Sequence, residues 1–196
     1  MIDTSQQKFE REPAKRVFAA ELRDASKIIK DENDEKSPSY VLLPTGERCN
    51  RVLIAGAITD KVKSGDQNVM YRAKVSDPTG MFYINASSYQ PEAMLQLAKI
   101  DTENPSFVIV VGKPNAYTTP DGRVLISIRA EAVQVIDRET RAMWVVDTAK
   151  ATLKRIEKMF GDGWESIPDT KLARETYPQN ADGWKQMVFD ALSKIV

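Results

Sequence analysis

The sequence predicts a mainly β protein with an α-helical extension, on three observations. Five short β-type runs follow one another between Arg51 and Asp137, each rich in Val, Ile, Phe or Tyr and closed by a turn signal. One helix-like insert, Pro91–Lys99, separates the third run from the fourth. After Asp137 the apolar residues recur at a helical period instead of a strand period. Five strands with a helix between the third and fourth is the element order of a five-stranded OB-fold barrel. The chain is accordingly expected to divide into an N-terminal extension (1–38, partly flexible), an OB-fold domain (39–137), a helix (138–160) and a C-terminal helical tail (161–196).

Taken in order, residues 1–15 form a polar lead, and Lys15–Leu22 fits either a short strand or one helical turn. Asp31–Lys36 is a charge run. Its spacing resembles a calcium loop, but Lys36 stands where the sharp turn needs glycine, so a solvated loop is expected. Ser39–Asn50 reads as an extended arm and turn at one barrel end. The five barrel runs are Arg51–Thr59, Val69–Asp77, Met81–Ala86, Phe107–Gly112 and Arg123–Val135. Alternation sorts their faces. Val69, Tyr71, Ala73 and Val75 oppose Met70, Arg72 and Lys74; Phe82, Ile84 and Ala86 oppose Met81, Tyr83 and Asn85; Val124, Ile126 and Ile128 oppose Leu125, Ser127 and Arg129. The apolar sets should fill the barrel. Asp77-Pro-Thr-Gly80 is the tight connection between the second and third strands, with Gly80 able to take a positive φ.

In Arg138–Phe160 the residues Val146, Ala149, Leu153, Ile156 and Phe160 form a seam of heptad character, with Gly161 and Gly163 ending the helix. The seam fits packing against its own barrel and pairing with helices of other subunits equally well. Two further helices are expected, at Pro168–Thr176 and at Ala181–Val196, the second capped by Asn180. Trp144 and Trp184 read as core or interface residues.

The composition narrows the function classes. Basic and acidic residues number 28 each, split 9 and 10 over 1–49, 9 and 9 over 50–137, and 10 and 9 over 138–196, so any polyanion must be met by a local patch. There is no histidine, which removes Ser–His and Cys–His nucleophile pairs and histidine zinc sites. The single cysteine, Cys49, permits no internal disulfide and reads as a small packed residue. No phosphate-cradling glycine loop is present. A non-enzyme without cofactor or metal is expected. The polar N-terminus and the lack of an apolar run near 18 residues point to a cytoplasmic protein without a membrane partner.

What remains is a groove. Arg72, Lys74, Tyr83 and Asn85 cover the second and third strands, the usual oligonucleotide face of an OB fold. The loop between strands one and two is expected to add Lys61 and Lys63, and the loop between strands four and five Lys113, Asn115, Tyr117 and Arg123. Cations to follow a phosphate backbone and rings to stack bases are the two components of single-strand binding. On these side chains alone, a nucleic-acid face and an ordinary exposed barrel face are both open.

Four stretches carry a family resemblance: Glu12–Leu22, Tyr40–Asp60, Arg72–Ala93 (with the run V-S-D-P-T-G-M-F at Val75–Phe82, then Y-Q-P-E-A at Tyr89–Ala93) and Arg138–Glu157. Together they resemble the archaeal replication protein A subunits, and more narrowly the replication protein A-associated proteins, which join one OB fold to a C-terminal helical extension. The resemblance covers most of residues 12–160. It implies a subunit of a complex that binds single-stranded DNA in replication, repair and recombination. It also implies that the helix seam is an assembly surface for like or unlike subunits, that Tyr83 and Asn85 lie on the DNA-facing strand, and that Tyr117 lies in a loop supplying a stacking ring. A scaffold subunit whose OB face does not touch DNA, and an RNA-binding OB module, are the alternatives.

Overall fold

The computed structural model describes residues 12–30, 37–104 and 106–195. The charge run Asp31–Lys36 and most of the polar lead lie outside the described residues. The ambiguous Lys15–Leu22 stretch takes both forms, a two-residue strand β1 (Lys15–Arg16) and a one-turn helix α1 (Ala19–Arg23). The arm forms its own small antiparallel sheet from β2 (Lys27–Ile29), β3 (Tyr40–Leu42) and β4 (Arg48–Cys49).

The main sheet contains the five expected strands: β5 (Val52–Ser64), β6 (Met70–Asp77), β7 (Gly80–Ser87), β8 (Phe107–Thr118) and β9 (Val124–Ile136). The insert helix α2 (Pro91–Lys99) sits between the third and fourth of them. The pairings β5–β6, β6–β7, β7–β9, β9–β8 and β8–β5 run round a closed ring, with only β7–β9 parallel. A sixth strand joins from outside: β1, from the stretch open to strand or helix, pairs in parallel with β5. Closure leaves these five strands without a free edge. Val52, Ile54, Val75, Phe82, Ile84, Val108, Val110 and Ile128 are fully buried within the ring, and Ala93 and Leu97 of α2 join the same core. Two strands are longer than the sequence suggests. β5 runs on to Ser64 and β8 to Thr118, because both continue pairing past the ring, β5 with β6 and β8 with β9.

The 23-residue helix α3 (Arg138–Phe160) begins where Asp137 accepts a bond from the Thr140 N–H at 2.7 Å, which holds that carboxyl below its usual range. It lies against β1, β5 and β8. Trp144 anchors it, with Nε1 donating to the Leu53 carbonyl at 3.0 Å and its ring meeting Phe18 edge-on at 5.8 Å. The buried arc comprises Trp144, Val145, Thr148, Ala149, Thr152, Arg155, Ile156 and Met159. The expected seam straddles the edge of this arc: Ala149 and Ile156 are inside it, Val146 and Phe160 are half-buried, and Leu153 is 42% exposed. Part of the seam is covered from within, since α5 (Ala181–Ser193) packs along α3 and buries Val188 and Ala191. Asn180 caps α5 as expected, its side chain accepting from Gly183 N–H at 3.0 Å. Between them, α4 (Pro168–Thr176) follows a short 3-10 turn at Trp164–Ser166.

The tail folds back on the arm. The Tyr177 hydroxyl donates to the Leu42 carbonyl at 2.6 Å and accepts from the Ser26 and Lys27 N–H groups, while Arg48 bonds Asp169. Helix α1 is the point where arm, ring and α3 meet. The Asp77 carboxylate accepts from Ala19 N–H at 2.8 Å and from the Thr79 and Gly80 N–H groups, so one side chain shapes the β6–β7 turn and caps α1. Gly80 therefore does not use a positive φ. Burial pushes the Asp77 carboxyl above its usual range against the opposing pull of those bonds. Two residues after Ala19, Glu21 is fully buried and accepts from Thr45, Thr152 and Arg155, the Arg155 Nη2 bonds measuring 2.9 and 3.0 Å.

Candidate nucleic-acid interface

Alternation along β6, β7, β9 and β8 carries four sets of outward residues onto one face. They are Arg72 and Lys74; Met81, Tyr83 and Asn85; Leu125, Ser127 and Arg129; and Lys113, Asn115 and Tyr117. The register sets their neighbours: Lys74 stands opposite Tyr83, Arg72 opposite Asn85, Asn115 opposite Ser127, and Tyr117 opposite Leu125. Two depressions on this face share Tyr83 and Ser127 as a common wall.

The first depression, about 540 Å³, is apolar. Tyr83 (55% exposed), Tyr117 (59%), Leu125 (52%) and Met81 line it, and Arg23 of α1 closes one side. The second, about 610 Å³, is more polar than the first and is lined by Arg72, Lys74, Asn85, Asn115 and Asp60 among others. Asn85 Nδ2 donates to Ser127 Oγ at 3.4 Å, tying β7 to β9 across the groove floor. Thus Arg72, Lys74, Tyr83, Asn85 and Tyr117, taken from three separate runs of sequence, face one surface.

Other expected site residues are placed differently. Lys61 and Lys63 are not in a loop but in β5, opposite Ala73 and Tyr71. Alternation then turns Asp60 and Val62 toward the groove, and Lys61 and Lys63 away from it. Lys61 Nζ instead donates to the Leu97 carbonyl at 3.0 Å, the Ala98 carbonyl at 3.1 Å and the Ile100 carbonyl, closing the C-terminus of α2. Lys113, Asn115 and Tyr117 likewise lie in β8 and not in a loop. Arg123 does lie in the β8–β9 turn, held by Asp121 at 2.7 Å, and the bonds from Thr119 and Arg123 hold that aspartate low. Lys74 is paired with Asp60 at 3.0 Å, which raises its own pKa. Arg129 was not expected in the site. Its place follows from the parallel β7–β9 pairing, which no local pattern announces.

Among the described residues no group of three or more His, Cys, Asp or Glu side chains is placed to hold a metal ion. Burial pushes the Cys49 thiol up to about 12, so it is a packed thiol and not a nucleophile at neutral pH. No helix among the described residues is long and apolar enough to cross a membrane.

No family model and no curated protein matches the chain. Similar solved structures include a chain from the yeast Stn1 and Ten1 structure, at 11% identity and a TM-score of 0.44, over 64% of this chain and 63% of that one. They also include the second single-stranded DNA-binding protein, SSBb, of Mycobacterium smegmatis, at 18% identity and a TM-score of 0.37, over 45% of this chain and 87% of that one. A third is asparaginyl-tRNA synthetase from Pyrococcus horikoshii, at 17% identity and a TM-score of 0.36, over 56% of this chain and 29% of that one. Likeness at this level is too slight to carry a functional reading.

Proposed function

We propose that the closed ring is an OB-fold barrel and that its β6–β7–β9–β8 face binds single-stranded DNA without catalysis, as one subunit of a replication protein A-type complex. The carrying observation is the convergence of Tyr83 and Tyr117, from different strands, on one apolar depression beside a cation-bearing one. Bases stack on rings regardless of sequence, and phosphates follow cations, so this pairing suits a single strand of any sequence. The strand order, with a helix between the third and fourth ring strands, supports the OB assignment. The resemblance in Val75–Phe82 and Tyr89–Ala93 supports the replication protein A setting and a cytoplasmic place of work.

The test is fluorescence anisotropy of labelled oligo-dT, titrated with the full chain at two salt concentrations. Affinity that falls as salt rises is the expected result; no binding at low salt would sink the DNA reading. Unlabelled oligo-rU added as competitor decides between DNA and RNA, and displacement by rU equal to that by dT would move the assignment to an RNA module.

A scaffold role has one observation in its favour. Leu153, Ile156 and Phe160 of α3 line a shallow groove with Lys185 of α5, leaving the outer edge of the seam uncovered. Subunit assembly through that edge predicts that Leu153→Asp lowers the mass of the complex in solution. An unchanged mass with a folded protein removes the seam as an assembly surface.

A further inference from the structure

The groove face is ordered in rows across the strands. Arg72 stands opposite Asn85, Asn85 opposite Arg129, and Arg129 opposite Lys113, so these four residues form one line over β6, β7, β9 and β8. With strands about 4.8 Å apart, the line spans roughly 14 Å. The side chains of Arg72, Arg129 and Lys113 make no hydrogen bond or ion pair among the described residues, unlike those of Lys74 and Arg123, which are already paired.

One end of the line is shaped to receive an anion. Lys113 and Arg129 line a depression of about 180 Å³ together with Asn115, Asn50 and Ser39 of the arm. Asn115 also borders the polar half of the main groove, so the two spaces adjoin. The chain crosses closely here. A Cβ at Gly112 would lie 2.5 Å from the Arg129 carbonyl, and the β8–β9 register shifts between Val111 and Gly112. Lys113 and Arg129 come side by side directly after that irregularity. The aromatic set lies to the other side, with Tyr83 two residues and Tyr117 four residues along their strands from the line, or roughly 7 and 13 Å.

We infer that Arg72, Arg129 and Lys113 are a phosphate-tracking row, with Ser39 and Asn50 closing its end, and that it holds the backbone of a strand whose bases rest on Tyr83 and Tyr117. This rests on the single-strand reading above and adds to it a division of labour, a direction across the strands, and Arg129 as a binding residue. A row of three cations neutralises about three phosphates, giving a slope of log Kobs against log salt near −2, at roughly −0.7 per phosphate for a single strand.

The experiment is the oligo-dT titration over five salt concentrations with Arg72→Gln, Arg129→Gln and Lys113→Gln, made singly, beside Tyr83→Ala, Tyr117→Ala and a control, Lys171→Gln on α4. All three row residues are exposed, so their replacement leaves the core intact. Each row variant should flatten the slope by roughly 0.7. Each tyrosine variant should weaken binding roughly tenfold at every salt concentration with the slope unchanged. The Lys171 control should match the wild type. Oligo-dT binding with an unaltered slope in Arg129→Gln and Lys113→Gln overturns the row while leaving single-strand binding in place. A slope flattened equally by the tyrosine variants overturns the division between the rows. No binding by the wild type overturns the underlying reading instead.

Discussion

Arg155 and Arg72 are the same residue type in opposite circumstances. Arg155 is 6% exposed at its side chain and its Nε and Nη2 donate to Glu21, Thr45, Thr152 and the Arg16 carbonyl, so these donors are committed within the chain. The Arg72 side chain is exposed and bonds nothing among the described residues. A guanidinium taken out of water must find partners or the fold fails, whereas one kept in water is free to meet an external anion. Charge in the α1–α3 hub therefore specifies structure, and charge on the groove face is left available. Overall neutrality hides this, because it averages two populations with different tasks.

The sharpest way to break the hub side of the comparison is Glu21→Ala. It strands Arg155 in the interior and should cost about 3–5 kcal/mol of unfolding free energy, read by urea denaturation. A loss under about 1 kcal/mol would show that water or a rearranged Glu47, 3.6 Å from Arg155, takes over the pairing. On the groove side, Tyr83→Ala and Tyr117→Ala should each weaken oligo-dT binding by about 1–3 kcal/mol with the urea midpoint unmoved. Lys61→Ala crosses the two classes. Losing its bonds to the end of α2 should cost about 1–2 kcal/mol of stability without lowering the salt slope of DNA binding; a flattened slope would return Lys61 to the interface. The smallest effect concerns Cys49. Its folded pKa, about 12, stands above its ordinary value of 9.0, so its stabilising contribution is complete below pH 9.0 and is lost as pH rises from there toward 12. Iodoacetamide at pH 8 should leave the native thiol unlabelled and label it in urea, as followed by intact-protein mass; native labelling would mean that the site opens.

Sequence reading succeeded where a signal is local. Pro91 and Pro168 open α2 and α4 at the expected residues, and Gly161 follows the last residue of α3. It fell short where strands outlive their apolar runs. Asp60–Ser64 and Lys113–Thr118 are polar, so they read as loops, yet cross-strand pairing keeps them extended and decides which way Lys61 and Lys63 turn. The α3 seam was drawn from apolar residues alone. The true buried arc includes Thr148, whose hydroxyl donates to the Trp144 carbonyl, and Thr152 and Arg155, which Glu21 and Thr45 meet there. Arg72, Tyr83 and Arg129 are legible as alternating outward residues, whereas Tyr117 reads as a loop residue and the place of Arg129 beside Asn85 needs the parallel β7–β9 pairing.

The Glu21–Arg155 pair joins residues 134 positions apart. During synthesis at about 5–20 residues per second, the glutamate is added to the chain roughly 7–27 s before its partner. Throughout that interval α1 carries a carboxylate whose final site does not yet exist. The five ring strands are complete by Ile136, so the sheet has all its pieces before the hub can close. Helix α1, resting on Asp77 from one side, waits for Arg155 from the other. A nascent chain halted before Arg155 would therefore hold every strand of the ring beside an unfinished hub, with α4 and α5 still to be added after the guanidinium arrives.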